Sequence, residues 1–124
     1  MGNSFGGLAT IELCEKYPEY VAGALALCPA LTYAPNAVLN LDKMAEVPIW
    51  FAHATNDKTI PVTASQNAVN SLAGVEVLFT EYSDDNMEAV GADIDPNSTY
   101  SFHHVELAVF NDDSYMTWLF EKHK

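Results

Sequence analysis

The sequence predicts an α/β fold in which about three parallel strands pack between flanking helices. Three apolar segments indicate the strands, at residues 21–28, 47–54 and 75–82. Helix-forming or irregular segments separate them, and this alternation is typical of a parallel sheet covered by helices. The pattern runs from end to end without an internal repeat or a linker, so we treat residues 1–124 as a single domain.

The first predicted helix spans residues 8–16, where Leu8, Ile11 and Cys14 recur at helical spacing. Pro18 ends it, because the residue before a proline avoids the α conformation. Residues 21–28 follow as a continuous apolar run. Such a run is typical of a strand buried on both faces of a parallel sheet, although its alanines would also suit a helix.

The middle of the chain repeats this order. Residues 30–46 have little pattern beyond a short helix expected near residues 39–45, and residues 47–54 form a second buried strand. Thr63 or Ser65 is expected to cap a helix that runs to about Leu72. Residues 75–82 alternate apolar and polar side chains, which indicates a strand at the edge of the sheet.

The last third begins with an acidic segment, residues 83–102, that predicts a long connection. Long connections inside compact domains are often functional. Residues 93–97 resemble part of a calcium loop but lack its glycine and its distal glutamate, so we interpret them as a solvated turn. Residues 113–122 predict a closing helix that places Tyr115, Trp118 and Leu119 on one face.

Composition limits the classes of partner. The chain carries 17 Asp and Glu against 5 Lys and Arg, a formal net charge of -12, and such a surface repels nucleic acid. We expect no membrane partner, because no apolar run is long enough to cross a bilayer. Cys14 and Cys28 lack metal-ligand spacing, and we expect no metal and no organic cofactor. Free buried thiols are favoured over a disulfide, and the compartment is left undetermined.

Candidate chemistry begins at residues 2–7, Gly-Asn-Ser-Phe-Gly-Gly, which match the G-x-S-x-G pattern of a nucleophile elbow. In such an elbow Ser4 stands at the tip of a sharp strand-to-helix turn, and the Phe5 N–H faces a developing oxyanion. Small residues two before and two after the serine let the strand and the helix pass closely. The alternative is a glycine-rich turn in which Ser4 caps the next helix, and the hexapeptide alone does not separate the two.

A serine nucleophile needs a base that takes its proton and an acid that orients the base. The chain supplies Asp57 just beyond a buried strand, and then His103 or His104, in the order Ser, Asp, His. Asp57 could equally be a turn residue, and the histidines could be surface residues. We interpret His53 as structural, since it alternates with Phe51 along its strand. The joint order and placement favour the catalytic interpretation.

Three blocks, residues 2–7, 48–57 and 103–112, resemble the C-terminal half of bacterial α/β-hydrolase esterases. The most similar groups are the polyhydroxybutyrate-depolymerase-like and prolyl-oligopeptidase-like carboxylesterases. The resemblance implies a truncated α/β-hydrolase fold, hydrolysis of a small-molecule ester, and a triad of Ser4, Asp57 and His103. Val105-Glu106 stands where that family has Ser-Trp, so His104 stays open as an alternative base.

Members of that family have several strands before the elbow, and a loop among them gives a second oxyanion donor. We therefore expect the chain to be a C-terminal portion of a longer hydrolase. We also expect residues 21–28 to expose an unpaired edge or an apolar face through which copies associate into a homo-oligomer. Two other functions stay open: an interaction module without activity, and a serine peptidase of the prolyl-oligopeptidase-like type.

Overall fold

A parallel sheet organises the molecule. The computed structural model describes residues 1–74 and 76–124. In these ranges the strands lie side by side in chain order: β1 (Gly2–Asn3), β2 (Ala24–Leu27), β3 (Ile49–Ala54) and β4 (Val77–Tyr82). The predicted α/β class is confirmed. The sheet has one strand more than expected, because the two residues before the elbow pair with Ala26 and Leu27 of β2.

Helices fill the connections between the strands and the end of the chain. They are α1 (Phe5–Lys16), α2 (Pro35–Leu39), α3 (Thr63–Ser71), α4 (Asp84–Ala89), α5 (Glu106–Phe110) and α6 (Asp113–Phe120). Short 3₁₀ turns occupy Pro18–Tyr20, Leu31–Tyr33 and Leu41–Met44. No helix among the described residues is both long enough and apolar enough to span a bilayer.

Each face of the sheet has its own apolar layer, because successive side chains of a strand point to opposite faces. Ala24 and Ala26 of β2 belong to the layer that contains Ile11, Met44 and Phe51. Leu25 and Leu27 belong to the other layer, with Val105, Val109, Tyr115 and Trp118. Burial on both faces explains why the sequence of β2 is continuously apolar rather than alternating.

Several boundaries differ from the sequence-based expectation. Helix α1 begins at Phe5, directly after the elbow, and β2 is shorter than the apolar run of residues 21–28. The acidic segment after β4 is not wholly irregular, because Ser83 and Asn86 form a capping box that starts α4. Val75, the first residue of the predicted third strand, lies outside the described residues.

The predicted cap of α3 is wrong. The helix begins after Val62, and no side chain caps it. The carbonyls of Pro61 and Val62 accept hydrogen bonds from the N–H groups of Ala64 and Ser65, so the first turn satisfies its own backbone. The Ser65 side chain is therefore free to point into the protein, where it is fully buried.

The unpaired edge expected at residues 21–28 is present along part of β2. Ala26 and Leu27 are paired on both sides, by β1 and by β3. Ala24 and Leu25 pair with β3, and in the part of the chain that the structure describes no strand covers their other side. All four side chains of β2 are buried, so the open edge is a backbone edge rather than an apolar strand face.

Candidate active site

Ser4 forms the sharp turn between β1 and α1. Ser4 has φ 57° and ψ -114°, a conformation that L residues rarely adopt. Its N–H donates to the Leu27 carbonyl at 2.9 Å, and its carbonyl accepts from the N–H groups of Leu8 and Ala30, each at 3.0 Å. These bonds join the turn to α1 and to the residues after β2, and they hold the strained backbone in place.

Two glycines allow this turn, and they are not the pair expected from the motif. A Cβ on Gly2 would overlap the Gly6 carbonyl. A Cβ on Gly7 would lie 2.8 Å from the Leu27 oxygen and 3.0 Å from the Pro29 Cα. A Cβ on Gly6 would meet nothing within 4 Å. Glycine is therefore required at positions 2 and 7. At position 2, β1 approaches the backbone of α1, and at position 7, the residues at the end of β2 approach it.

The structure brings His103 between Ser4 and Asp57. The His103 Nε2 lies 3.1 Å from the Ser4 Oγ, and the Nδ1 lies 2.9 and 3.1 Å from the two carboxylate oxygens of Asp57. A carboxylate only accepts, so Nδ1 carries the ring proton and Nε2 is left to accept the serine proton. His103 is 4% exposed and Asp57 8%, so water is largely excluded from this pair.

Hydrogen bonds between the turn after β3 and the loop before His103 produce this geometry. Asp57 lies in the turn after β3, and the Lys58 N–H donates to the Ser101 carbonyl at 3.0 Å. The Thr59 hydroxyl donates to the Thr99 carbonyl at 2.6 Å. Phe102, at φ 57°, turns the backbone immediately before His103. The loop that carries His103 is thus fixed directly to the turn that carries Asp57.

Asp57 is a buried carboxylate held in its charged form. Burial alone raises its pKa, but hydrogen bonds from His103, His53 and the Ile60 N–H outweigh that effect and lower the pKa to about 2. The Oδ1 atom accepts from the N–H groups of Thr59 and Ile60 at 2.8 and 2.9 Å. Asp57 is therefore ionised throughout the neutral range, as an acid that orients a histidine must be.

His104 lies outside this chain of hydrogen bonds. Its Nδ1 lies 2.9 Å from the Glu106 Oε1, and 45% of its side chain is exposed. The positive φ of Phe102 turns the chain so that His103 points inward. Its neighbour lies against the start of α5 instead.

His53 has contacts that its sequence position did not reveal. Its ring is fully buried, with Nδ1 2.8 Å from the Ser65 Oγ and Nε2 2.8 Å from the Ile60 carbonyl. The same Nε2 lies 3.3 Å from the Asp57 Oδ2. The sequence signals this contact by a histidine four residues before Asp57, but the alternation along β3 favours a structural interpretation instead.

The cysteines are free and buried. The Cys28 thiol donates to the Asn3 Oδ1 at 3.1 Å, and burial, followed by the charge of Asp57, strongly raises its pKa. Burial also raises the pKa of the Cys14 thiol to about 11. Cys28, Asp57 and His103 offer ligand atoms within 4.8 Å of one another. In this structure the His103 Nδ1 and the Asp57 carboxylate are engaged with each other, and the Cys28 thiol with the Asn3 Oδ1.

The arrangement suits attack on a carbonyl carbon. Ser4 can pass its proton to Nε2 of His103, and Asp57 stabilises the resulting imidazolium. The Phe5 N–H lies in the first turn of α1, where backbone N–H groups have no partner within the helix. A backbone donor in the first turn of α1 thus follows Ser4 directly in the chain.

Comparison with known proteins points to one class of enzyme. The sequence model of the phospholipase/carboxylesterase family matches residues 1–104. The chain is similar to a thermostable esterase of known structure, with 28% identity and a TM-score of 0.80, over 99% of this chain and 30% of that one. No curated protein matches the chain.

Two more distant structures share the fold. One is Est1E from Butyrivibrio proteoclasticus, solved with ferulic acid bound, with 15% identity, a TM-score of 0.63, and coverage of 98% of this chain and 59% of that one. The other is an IroE-like serine hydrolase from Shewanella oneidensis, with 18% identity, a TM-score of 0.52, and coverage of 86% and 36%. The chain thus spans less than two thirds of the length of each structure.

Proposed function

Because the chain belongs to the phospholipase/carboxylesterase family, we propose that it hydrolyses a carboxylic ester with Ser4, His103 and Asp57 as its catalytic triad. The observation that carries the proposal is the continuous hydrogen-bond chain from the Ser4 Oγ through the His103 ring to the Asp57 carboxylate. The strained elbow adds support, because it places Ser4 at the N-terminal end of α1, as a nucleophile elbow does.

In the proposed acylation step, Ser4, His103 and the Phe5 N–H each have one role. The Ser4 Oγ attacks the ester carbonyl carbon while its proton moves to Nε2 of His103. The carbonyl oxygen becomes an oxyanion that the Phe5 N–H stabilises. When the tetrahedral intermediate collapses, the bond to the alcohol oxygen breaks, and the alcohol leaves with the proton from His103. The acyl group is then bonded to the Ser4 Oγ.

Deacylation uses the same groups with water as the nucleophile. His103 takes a proton from the water, the hydroxide attacks the acyl carbonyl, and the Ser4 oxygen leaves with the proton returned by Nε2. The product is a carboxylic acid, and Ser4 is regenerated.

We propose a small-molecule ester as the substrate. We also propose that the chain corresponds to the C-terminal portion of a hydrolase domain. That it is a portion is supported by the 30% and 59% of two related structures' lengths that it spans.

A fluorophosphonate probe tests the nucleophile directly, because it reacts covalently with an activated serine. We expect the 124-residue chain to be labelled on Ser4, and Ser4→Ala to abolish the label. Ser71→Ala is the matched control, since Ser71 lies at the exposed end of α3 and its hydroxyl donates to the Asn67 carbonyl. Equal labelling of wild type and Ser4→Ala would refute the proposal.

The base is tested in the same assay. His103→Gln is expected to lower the labelling rate by about 10²-fold or more, since general-base catalysis contributes on that scale. His104→Gln is expected to leave the rate within about twofold, because the His104 ring contacts Glu106 and not Ser4. The reverse ranking would make His104 the base.

Two other functions are distinguished by substrate and by size. A peptidase of the prolyl-oligopeptidase-like type would cleave an amide with the same acyl group as well as the nitrophenyl ester, whereas an esterase would cleave the ester and leave the amide intact. An interaction module would leave both substrates intact and resist the probe. We expect the isolated 124 residues to hydrolyse esters slowly or not at all, because the Phe5 N–H is the one oxyanion donor assigned in this chain and losing a second donor costs about 10²–10³-fold in kcat. We expect Ser4→Ala to remove whatever hydrolysis remains.

A further inference from the structure

We propose that His53 and Ser65 are positioning residues of this site, which hold the Asp57 carboxylate in the orientation that His103 requires. The inference deepens the proposed function and rests on it. Neither residue touches Ser4 or the expected position of a substrate. Both act through Asp57 and the turn that carries it.

The contacts form a closed unit around Asp57. The His53 Nε2 lies 2.8 Å from the Ile60 carbonyl oxygen and 3.3 Å from the Asp57 Oδ2. The N–H of the same Ile60 donates to the other carboxylate oxygen, Oδ1, at 2.9 Å. His53 therefore restrains Oδ2 directly and Oδ1 through the backbone of Ile60, which leaves one side of the carboxylate for His103.

Ser65 satisfies the tautomer of His53 that makes this possible. The Ile60 carbonyl and the Asp57 carboxylate only accept, so Nε2 must carry the proton. Nδ1 then needs a donor, and the Ser65 hydroxyl lies 2.8 Å away. Both side chains are fully buried, where an unpaired ring nitrogen would be costly. A proton on Nδ1 instead would leave Nε2 facing two oxygens with nothing to donate.

The contacts of His53 explain why β3 has a polar residue at this buried position. His53 follows Phe51 on the same face of β3, a position where an apolar side chain would fill the space without polar atoms. Replacing it with leucine is expected to preserve the apolar layer but to release the turn at Ile60. A shift of about 1 Å in a catalytic group can cost about 10²-fold in rate.

The first test compares labelling rates with the fluorophosphonate probe and, where ester hydrolysis is measurable, kcat against KM. We expect His53→Leu to lower the labelling rate and kcat by about 10–10²-fold with KM unchanged. We expect His53→Gln, whose amide can donate near the position of Nε2, to recover most of the rate. Ser65→Ala should give an intermediate loss, and Ser71→Ala none. Equal rates in wild type, His53→Leu and Ser65→Ala would overturn the proposal.

The second test does not depend on activity, and its first measurement uses the wild-type chain. Nitrogen-15 NMR of the histidine rings in the wild-type chain is expected to show His53 protonated at Nε2, and a proton on Nδ1 alone would overturn the proposal. In Ser65→Ala, a carbon-13 titration is expected to show a raised pKa for the Asp57 carboxyl, and an unchanged pKa would also overturn it. If wild type resists the probe while both NMR results hold, the proposed function fails and the positioning of Asp57 by His53 stands.

Discussion

At the scale of single residues, Asp57 shows how much of the candidate site depends on one carboxylate. It receives two backbone N–H groups from its own turn and contacts the rings of His53 and His103. Because these bonds favour the charged form more than burial disfavours it, the carboxylate is both ionised and fixed in direction. An aspartate without these partners could carry the charge but would not hold the histidine ring in one orientation.

Replacing Asp57 by asparagine should therefore affect rate more than structure. An amide can donate to Nδ1 and hold His103 in the wrong tautomer, a change that costs about 10⁴-fold in kcat in the Ser-His-Asp template. We expect a loss of several orders of magnitude in hydrolysis or probe labelling for Asp57→Asn. Asp85→Asn, in the exposed first turn of α4, should behave as wild type. A near-normal rate for Asp57→Asn would show that Asp57 is not the acid.

The same carboxylate makes stability depend on pH. The pKa of Asp57 falls from an ordinary value of 3.8 to about 2 in the folded protein, so its contribution is fully present above pH 4 and is lost as the pH falls towards 2. The difference corresponds to about 2 kcal/mol in the free energy of unfolding. Urea denaturation between pH 6 and pH 2 should show this acid loss in wild type. The loss should be smaller in Asp57→Asn, and identical slopes for the two proteins would contradict the assignment.

At the scale of elements, the junction between β1 and α1 depends on where backbones approach. The motif indicates glycine at positions 2 and 6, but the structure requires it at positions 2 and 7. The sequence pattern indicates which residues tolerate a sharp turn. It does not indicate which glycine has another backbone against it, because Gly7 is approached by the end of β2 and the residues that follow, about twenty residues away in the chain.

Two alanine substitutions in adjacent positions test this difference. In Gly7→Ala the new Cβ would press on backbone atoms of Leu27 and Pro29, which cannot rotate away, so we expect a loss of about 1–3 kcal/mol in stability. In Gly6→Ala the Cβ meets open space in α1, and the higher helix propensity of alanine should give a gain of up to about 1 kcal/mol. Thermal unfolding of both variants measures the difference, and equal melting temperatures would contradict it.

At the scale of the whole molecule, the sheet has two different edges. β4 contributes six residues at one edge, whereas β1 contributes only two at the other. Met1 and Leu13 are each more than half exposed, and they line the same surface hollow as Ala24, whose backbone is unpaired on that side in the described part of the chain. A free backbone edge next to exposed apolar side chains favours pairing with another strand, so we propose that a second copy covers it when the 124-residue chain is studied alone.

Self-association through this edge has a specific test. We expect the chain to form oligomers in sedimentation experiments, and Leu13→Lys to weaken them by placing a charge beside the edge. Leu39→Lys is the control, because Leu39 is 78% exposed but lies on α2. A monomer at all concentrations would refute the proposal. Equal weakening by both substitutions would show that general surface charge, and not this edge, governs association.

Local patterns in the sequence determined the fold class, the elbow and the order of Ser4, Asp57 and a histidine. Continuous apolar runs identify strands covered on both faces, because they reflect burial that every residue of the strand shares. Glycines around a serine identify a sharp turn, because few other residues tolerate it. Such signals are contained in a few consecutive residues and need no knowledge of distant ones.

Tertiary structure alone decided which side chains meet. His103 and His104 are adjacent and chemically identical, and only the turn at Phe102 and the bonds between two distant loops place His103, not its neighbour, between Ser4 and Asp57. Likewise, the local pattern made His53 a core residue and Ser65 a helix cap, yet the two side chains meet beneath Asp57. The physical reason is that a buried polar group is satisfied by whichever partner the fold brings within about 3 Å, and the short stretch of sequence around a residue does not specify that partner.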